Sequence, residues 1–246
     1  MLQFKGKIIE QIDNFMIDIE AKVAKFKKLA VKKPKYYVVI GDLFFNEADF
    51  NISISKRKKK TTLKYKGNKM MLYKMRRDEF EKVFDLMVEA FPVDERRTFD
   101  EQKELLCNPI FDIYVCKDSD DGEIRGFISV YRFDKFTFVE HFAVNPKYRN
   151  LGLGHEILSN LIARFGKLLL EVEPPETEQA KRRIGFYERN GFYLNDYPYI
   201  QPPISKGTNP IPLLLMTTGD KLSENEYIVA KSTLYKYVYN VAPDAY

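Results

Sequence analysis

Apolar residues recur along the chain at two spacings, and the change between them predicts the order of the secondary-structure elements. Spacings of three and four are typical of amphipathic helices, whereas short runs of branched and aromatic residues are typical of strands. From Met71 onward the pattern predicts a strand, two helices, a hairpin, a strand, a helix, a strand, a helix and two strands. The predicted helices cover 80–88, 99–106, 153–165, 180–190 and 222–239, and the clearest strands cover 113–116, 124–133, 137–144, 168–170 and 211–216. The run at 168–170 suits a buried strand parallel to 137–144, so we expect a mixed α/β (α+β) fold.

The first 69 residues show a different pattern, which predicts a small separate module. Strand-forming residues over 36–40, 50–54 and 63–65 flank the basic cluster at 56–60 and favour a β-hairpin. We therefore expect an N-terminal helix-and-hairpin module over 1–69 and a second domain over 70–246. The module's helix has one apolar stripe, formed by Ile8, Ile12, Phe15, Ile19, Val23 and Phe26.

The composition narrows the classes of protein. With 45% hydrophobic and 14% aromatic residues among 246, the chain can bury a large core, which argues against disorder. It has no apolar run of roughly 18 residues and no secretory signal pattern, so we expect a soluble cytoplasmic protein without membrane contact. Cys107 and Cys116 are too few for a metal site and are expected to be reduced. The net charge of +5 is modest, and a short basic cluster is usually a solvated turn, so nucleic acid is not the expected partner.

A loop at the predicted start of the helix over 153–165 has the features of an anion site. Glycines let the backbone approach a ligand, and the unpaired N–H groups at a helix start favour negative charge. The loop lacks the third glycine of a dinucleotide-binding motif and the Lys-Ser/Thr of a P-loop, which argues against both. It follows the predicted strand 137–144 and reads Arg149-Asn150-Leu151-Gly152-Leu153-Gly154.

This loop and a second motif resemble those of the GNAT superfamily of N-acetyltransferases. The first motif is Arg/Gln-x-x-Gly-x-Gly/Ala after a strand that here ends Phe142-Ala143-Val144, and the second is Phe-Tyr-x-x-x-Gly-Phe, here 186–192. The resemblance covers about 71–220. It implies a mixed, mainly antiparallel sheet with a splayed parallel strand pair, flanked by helices. It also implies acetyl transfer from acetyl-CoA to a primary amine, which attacks directly in a ternary complex.

The resemblance further implies which residues hold acetyl-CoA. Main-chain groups of Phe142 and Val144 would pair with the pantetheine arm as an added strand. Tyr187 of the second motif would give a proton to the departing thiolate. The chain departs from the family at Ala180, where many members have Asn, so no side-chain clamp is expected there. The pyrophosphate would lie on Arg149, Asn150, Leu151, Gly152, Leu153 and Gly154.

Carboxylates near the two predicted parallel strands are candidates for removing the proton of the amine. Strict alternation places Glu140 on the same face as Phe142 and Val144, and places Glu171 and Glu173 together on the next strand. Converging carboxylates attract an ammonium group and raise one another's pKa. The expected catalytic residues are Tyr187, Glu140 and Glu173.

Several other features have an expected structural role or two interpretations. Alternation puts His141 on the strand face opposite to Glu140, and both it and His155 are expected to be structural. The aromatic and proline-rich stretch over 193–203 either walls the acceptor pocket or forms a rigid loop. The helix over 222–239 either covers the sheet or makes a homodimer contact.

The leading hypothesis is an N-acetyltransferase whose acceptor is a small-molecule amine or a peptide amine. One alternative is a GNAT-fold module that binds acyl-CoA for regulation and transfers nothing. Another is an acetyltransferase directed at a protein or ribosomal partner through the basic cluster at 56–60. The acceptor stays open at this point, because function depends on the site and not on the fold.

Overall fold

The computed structural model describes residues 37–40, 43–46, 50–55, 60–65, 71–119 and 121–246. In the N-terminal part, β1 (Tyr37–Ile40) and β2 (Leu43–Asn46) form one two-stranded sheet. β3 (Phe50–Ser55) and β4 (Lys60–Tyr65) form a second, antiparallel one, as predicted for the hairpin. The predicted apolar helix before residue 27 and positions 56–59 of the basic cluster lie outside the described residues. The domain division at 69/70 stays a prediction.

The main body contains a seven-stranded sheet with the spatial order β10-β11-β9-β8-β7-β6-β5. Every neighbouring pair is antiparallel except β8 and β9, which are parallel. The strands are β5 (Met71–Lys74), β6 (Phe111–Lys117), β7 (Gly126–Arg132), β8 (Thr137–Val144), β9 (Leu168–Val172), β10 (Phe192–Gln201) and β11 (Ile211–Thr218). The helices are α1 (Phe80–Ala90), α2 (Phe99–Leu105), α3 (Leu153–Phe165), α4 (Glu178–Arg189) and α5 (Glu224–Tyr237).

Helices cover both faces of this sheet, and each face has its own apolar core. One core contains the buried residues of α1 and α5, including Met87 and Leu234. The other contains the buried stripe of α3 and Ile184 and Tyr187 of α4. Hence the predicted C-terminal helix covers the sheet. The homodimer contact stays a prediction.

The parallel pair β8 and β9 is short, and β8 is irregular where the pairing ends. The two strands are paired only from Thr137/Leu168 to Val139/Leu170. On the opposite edge of β8, Ser129 pairs with His141 and the next residue, Val130, pairs with Val139. Glu140 is therefore the extra residue of a β-bulge, which bends a strand and changes where its side chains point. Beyond it the two strands separate.

The element order predicted from Met71 onward is confirmed, and so is the mixed sheet with one parallel pair. Two expectations are wrong. Of the two interpretations of the stretch over 193–203, the rigid loop is wrong, because most of the stretch is strand β10, with an irregularity between Asn195 and Tyr199; a role as a wall of the acceptor pocket stays a prediction. Strict alternation along β8 also fails, because the bulge places Glu140 and His141 on the same side, with His141 Nδ1 3.3 Å from Glu140 Oε2.

We predict that Gly126→Ala lowers the free energy of unfolding by about 1–3 kcal/mol, because the added methyl group overpacks the sheet. It would lie 2.9 Å from the carbonyl oxygen of Ala143 and 3.2 Å from Ile157 Cδ1. Gly185→Ala is the control, since its methyl group meets only the end of Arg189 at 3.4 Å. Inside helix α4 it should stabilise by about 0.5–1 kcal/mol. Urea unfolding of both variants measures the difference, and equal midpoints would contradict this packing.

Candidate functional site

A cavity of about 260 Å³ lies where β8 and β9 separate. Its wall includes Phe142 and Val144 from β8, Val172 from β9 and Tyr187 from α4, which pack with the core of α3 and α4. The rest of the wall includes side chains on the other side of the sheet: Glu95, Glu140, Glu171, Gln201 and Leu213. The opening therefore connects the two faces of the sheet, and two molecules can meet there from opposite sides.

The loop between β8 and α3 presents a row of free N–H donors. Among the described residues, none of the main-chain N–H groups over 150–155 donates a hydrogen bond to another protein group. Asn150 and Gly152 both adopt a positive φ, 64° and 80°, which turns successive N–H groups outward before α3 begins. Donors of this kind at a helix start form a concave anion site. The loop thus fits a pyrophosphate group.

Different structural requirements explain the glycines at positions 152 and 154 of the loop. At Gly152 an added Cβ would meet nothing within 4 Å, so it is the left-handed backbone that excludes other residues there. At Gly154 an added Cβ would lie 3.1 Å from the ring of Phe186. Gly154 therefore makes room for Phe186 of the second motif, and close approach of a ligand to either glycine stays a prediction.

The main chain of β8 directs free groups into the opening. The N–H of Asn145 donates to the Arg125 carbonyl at 2.9 Å, on the side of β7. Because main-chain groups alternate in direction along a strand, those of Phe142 and Val144 point the other way, toward the gap. The Val144 carbonyl accepts a hydrogen bond from Arg149 Nε at 3.2 Å. Apart from this one side-chain contact, the edge of β8 beyond Val139 is not paired with β9, so an extended ligand can add to it.

Tyr187 lies in the wall of the cavity with its ring held by neighbours. Its ring makes edge contacts with Phe186 and Phe192 at centroid distances of 5.4 and 5.5 Å. Its hydroxyl donates no hydrogen bond to another described residue. Burial raises the pKa of Tyr187 to about 12, so the hydroxyl keeps its proton at neutral pH.

Glu140 is not placed as alternation predicted, because the bulge turns it toward the core of α1 and α5. Its Oε1 lies 2.6 Å from an Arg97 guanidinium nitrogen. Burial alone would raise the pKa of Glu140, but attraction to Arg97 and His141 outweighs burial and lowers it to about 2. A carboxylate with so low a pKa is a weak base at neutral pH.

Glu171 has a raised pKa where Glu140 has a lowered one, although the sequence analysis favoured Glu140 and Glu173 as catalytic residues. Its carboxylate accepts hydrogen bonds from the hydroxyls of Tyr199 and Tyr239. Burial raises the pKa of Glu171 to about 7, and the two hydrogen bonds only partly oppose this. A carboxylate that titrates near neutral pH on a cavity wall is a candidate general base. Alternation places Glu171 and Glu173 on the same strand face. It does not show which of the two is buried, and it is burial that raises the pKa of Glu171.

Glu95 and Glu173 add negative charge to the same cavity. Arg183 donates to Glu173 at 2.9 Å. Burial and repulsion from Glu173 raise the pKa of Glu95, which lies in the short turn before α2. Arg183 offsets the charge of Glu173, so the carboxylates on this side of the cavity that have no arginine or lysine partner among the described residues are Glu95 and Glu171.

The two histidines are held by protein groups, as expected for structural residues. His141 is buried, with Nε2 2.9 Å from the Glu95 carbonyl and Nδ1 3.2 Å from Ser129 Oγ. His155 contacts the Asn190 side chain at 2.7 Å. No group of three potential metal ligands occurs within the described part of the chain.

Comparison with known proteins identifies the family. The model of the acetyltransferase (GNAT) family matches residues 72–192. A solved putative GNAT acetyltransferase from Bacteroides thetaiotaomicron is 35% identical, with a TM-score of 0.64, and the match covers 69% of this chain and 98% of that one. The chain belongs to the GNAT acetyltransferase family.

Two other relatives of this GNAT protein are less similar. The putative acetyltransferase YjbC of Bacillus subtilis is 30% identical over 111 residues, which are 44% of this chain and 55% of that protein, so the chain matches about half the length of that relative. A GNAT acetyltransferase from Elizabethkingia anophelis, solved with acetyl-CoA bound, is 18% identical with a TM-score of 0.44 and covers 61% of this chain and 98% of that one. Among the described residues of this protein, no helix is long and apolar enough to span a membrane.

We predict that Arg97→Met lowers the free energy of unfolding by about 3–5 kcal/mol, because it leaves the Glu140 carboxylate buried without its partner. Arg96→Met is the control, since the one hydrogen bond that Arg96 makes to the described residues is to the Phe91 carbonyl, at 3.2 Å. Because the pKa of Glu140 is lowered, its contribution is complete above pH 4.5 and is lost as the pH falls toward 2. Unfolding curves from pH 3 to 7 test this, and equal losses in both variants would contradict it.

Proposed function

We propose that this GNAT protein transfers an acetyl group from acetyl-CoA to a cationic primary amine, in a complex that holds both substrates at once. The observation that carries the proposal is the cavity that joins the two sheet faces. Its wall carries Phe142, Val144 and Arg149, next to the loop with the free N–H donors, on one side and the carboxylates Glu95 and Glu171 on the other. An anionic thioester substrate and an ammonium substrate suit these opposite sides.

On the cofactor side, the N–H groups over 150–155 bind the phosphate oxygens and the Arg149 side chain adds positive charge. Main-chain groups of Phe142 and Val144 pair with the amide groups of the pantetheine arm. Bound acetyl-CoA supplies the acetyl thioester at the opening between the strands. The residues proposed to hold it are therefore those expected from the first motif and the strand before it: Phe142, Val144, Arg149, Asn150, Leu151, Gly152, Leu153 and Gly154.

On the acceptor side, Glu171 takes the proton that the ammonium group must lose before its nitrogen can attack. Its pKa of about 7 lets it be ionised and still accept a proton at neutral pH. Tyr187 donates its hydroxyl proton to the departing sulfur, and the second proton that the nitrogen loses as the amide forms replaces it. Glu173 lies at the edge of the same cavity and is paired with Arg183, so its proposed part is limited to the charge balance there, and the ion pair with Arg97 leaves Glu140 a structural role.

A regulatory module that only binds acyl-CoA is the main alternative. It is less well supported, because burial of a carboxylate such as Glu171 lowers stability and is typical of sites that use proton transfer. The partner-directed alternative depends on the basic cluster at 56–60, of which only Lys60 is described, and no observation favours it.

A screen for CoA release tests the proposed function. Wild-type protein and Glu171→Gln are incubated with acetyl-CoA and a panel of amines that includes amino sugars, polyamines, amino acids and peptides. The proposal expects amine-dependent CoA release by the wild type, reduced about 10²-fold or more in the variant. Release that needs no amine, or acetyl-CoA binding without release, would support the regulatory module instead.

We predict that acetyl-CoA raises the melting temperature by about 5–10 °C at roughly a hundredfold excess over Kd, because it binds only the folded chain. Gly152→Val should abolish this rise by filling the anion site. Gly166→Val is the matched control, because both glycines adopt a positive φ, 80° and 73°, at opposite ends of α3. Both variants should be destabilised, but only in Gly152→Val should acetyl-CoA fail to raise the melting temperature. A normal rise in Gly152→Val would contradict the assignment of this loop as the pyrophosphate site.

We predict that Tyr187→Phe lowers kcat on the order of 10²-fold and leaves the dissociation constant of acetyl-CoA nearly unchanged, because the hydroxyl acts on the departing thiolate. Tyr193→Phe is the control, since its side chain is exposed on β10. Single-turnover kinetics at saturating acetyl-CoA measures the chemical step. If the rate of that step is the same in Tyr187→Phe and wild type, Tyr187 is only part of the core.

A further inference from the structure

Two tyrosine hydroxyls meet the carboxylate of Glu171 from different parts of the chain. Tyr239, just after α5, places its hydroxyl 2.8 Å from Oε1 and 2.7 Å from Oε2. Tyr199, on β10, donates to Oε1. Burial and the nearby Glu171 raise the pKa of both tyrosines well above 10, so both keep the protons that they donate.

The segment that carries Tyr239 is fastened to the bulge of β8. The turn after α5 is closed by hydrogen bonds from the N–H groups of Val238 and Tyr239 to the Leu234 carbonyl, at 2.9 and 3.1 Å. Arg97 donates to the Val238 carbonyl at 3.1 Å and to Glu140 at 2.6 Å. One guanidinium therefore links the bulge that opens the sheet to the segment that contacts Glu171.

We propose that Tyr239 and Tyr199 are positioning residues that hold Glu171 as the proton acceptor for the amine, so that the segment after α5 forms part of the acceptor side of the site. This inference rests on the proposed function. The proton passes from the ammonium nitrogen of the substrate to a carboxylate oxygen of Glu171, and the tyrosines keep their own protons. Their hydrogen bonds stabilise the ionised carboxylate, which burial would otherwise protonate.

Burial and nearby carboxylates raise the pKa of Glu171, and the hydrogen bonds from the two tyrosines oppose this rise. Glu140 on β8 and Glu95 in the turn before α2 both raise its pKa, in addition to burial. The donors from Tyr199 and Tyr239 oppose this, and Arg97 is engaged by Glu140. Loss of either hydroxyl leaves the carboxylate buried near two other carboxylates with one donor fewer, so its affinity for a proton must rise.

The test measures the ionisation of Glu171 directly in the full-length chain. Protein labelled with ¹³C at the glutamate carboxyl groups is titrated by NMR, and Glu171→Gln identifies the resonance of Glu171. In Tyr239→Phe the midpoint should rise by about one pH unit, since a hydrogen bond to a charged group contributes about that much. The acid limb of the kcat/KM profile should move by the same amount, which lowers activity about tenfold on that limb.

Tyr235→Phe is the matched control. Tyr235 is buried near the same helix end, but its hydroxyl donates to the Ile200 carbonyl at 2.7 Å and not to Glu171. Tyr235→Phe should change the stability of the protein, but it should move neither the NMR midpoint of Glu171 nor the acid limb of the kcat/KM profile. Tyr199→Phe should resemble Tyr239→Phe, which keeps the test decisive if one of the two variants fails to fold.

The outcomes separate this inference from the proposed function. An unchanged NMR midpoint in Tyr239→Phe and Tyr199→Phe would overturn the inference, whatever the activity. A midpoint that moves while the acid limb does not would show that Glu171 is not the base, which also overturns it. If the wild type transfers acetyl to no amine but the NMR midpoint still moves, the contact between tyrosine and carboxylate is confirmed and the proposed function is wrong.

Discussion

The separation of β8 from β9 after three paired residues is the constraint on which the rest of the site depends. Paired parallel strands leave no room between them, and their main-chain groups satisfy one another. Here the bulge at Glu140 bends β8 away, and its carboxylate stays in the core only because Arg97 neutralises it. The free strand edge and the cavity are both consequences of that separation.

The two faces of the sheet give the opening two different chemical sides. The side of α3 and α4 offers unpaired N–H groups and the ring of Tyr187, which suit an anion and its leaving group. The side of α1 and α5 offers Glu171, whose pKa burial raises to about 7, and Glu140, whose pKa the Arg97 guanidinium helps to lower to about 2. The sheet therefore separates the sides that suit an anionic and a cationic substrate, while the reacting groups of the two substrates can meet at the opening.

Burial of the carboxylates Glu140 and Glu171 should make the free energy of unfolding depend on pH. Glu171 has a raised pKa, so its contribution to stability is greatest in acid and is lost as the pH rises from 4.5 toward 7. Glu140 has a lowered pKa, and its contribution is lost in the opposite direction, as the pH falls. The network through Arg97 joins both to the segment after α5, which ties the C-terminal helix to the chemistry as well as to the core.

The sequence by itself determined the element order, the family and the loop at 149–154, because apolar spacing and glycine motifs are local signals that neighbouring residues carry. It did not reveal the bulge, since an extra residue in one strand is defined only by the partner strand, and so Glu140 was assigned to the wrong face of the sheet, opposite to His141. It also could not rank the glutamates. Their pKa values depend on Arg97, Tyr199 and Tyr239, which are distant in sequence, and only the tertiary structure brings those residues within hydrogen-bonding distance of the carboxylates.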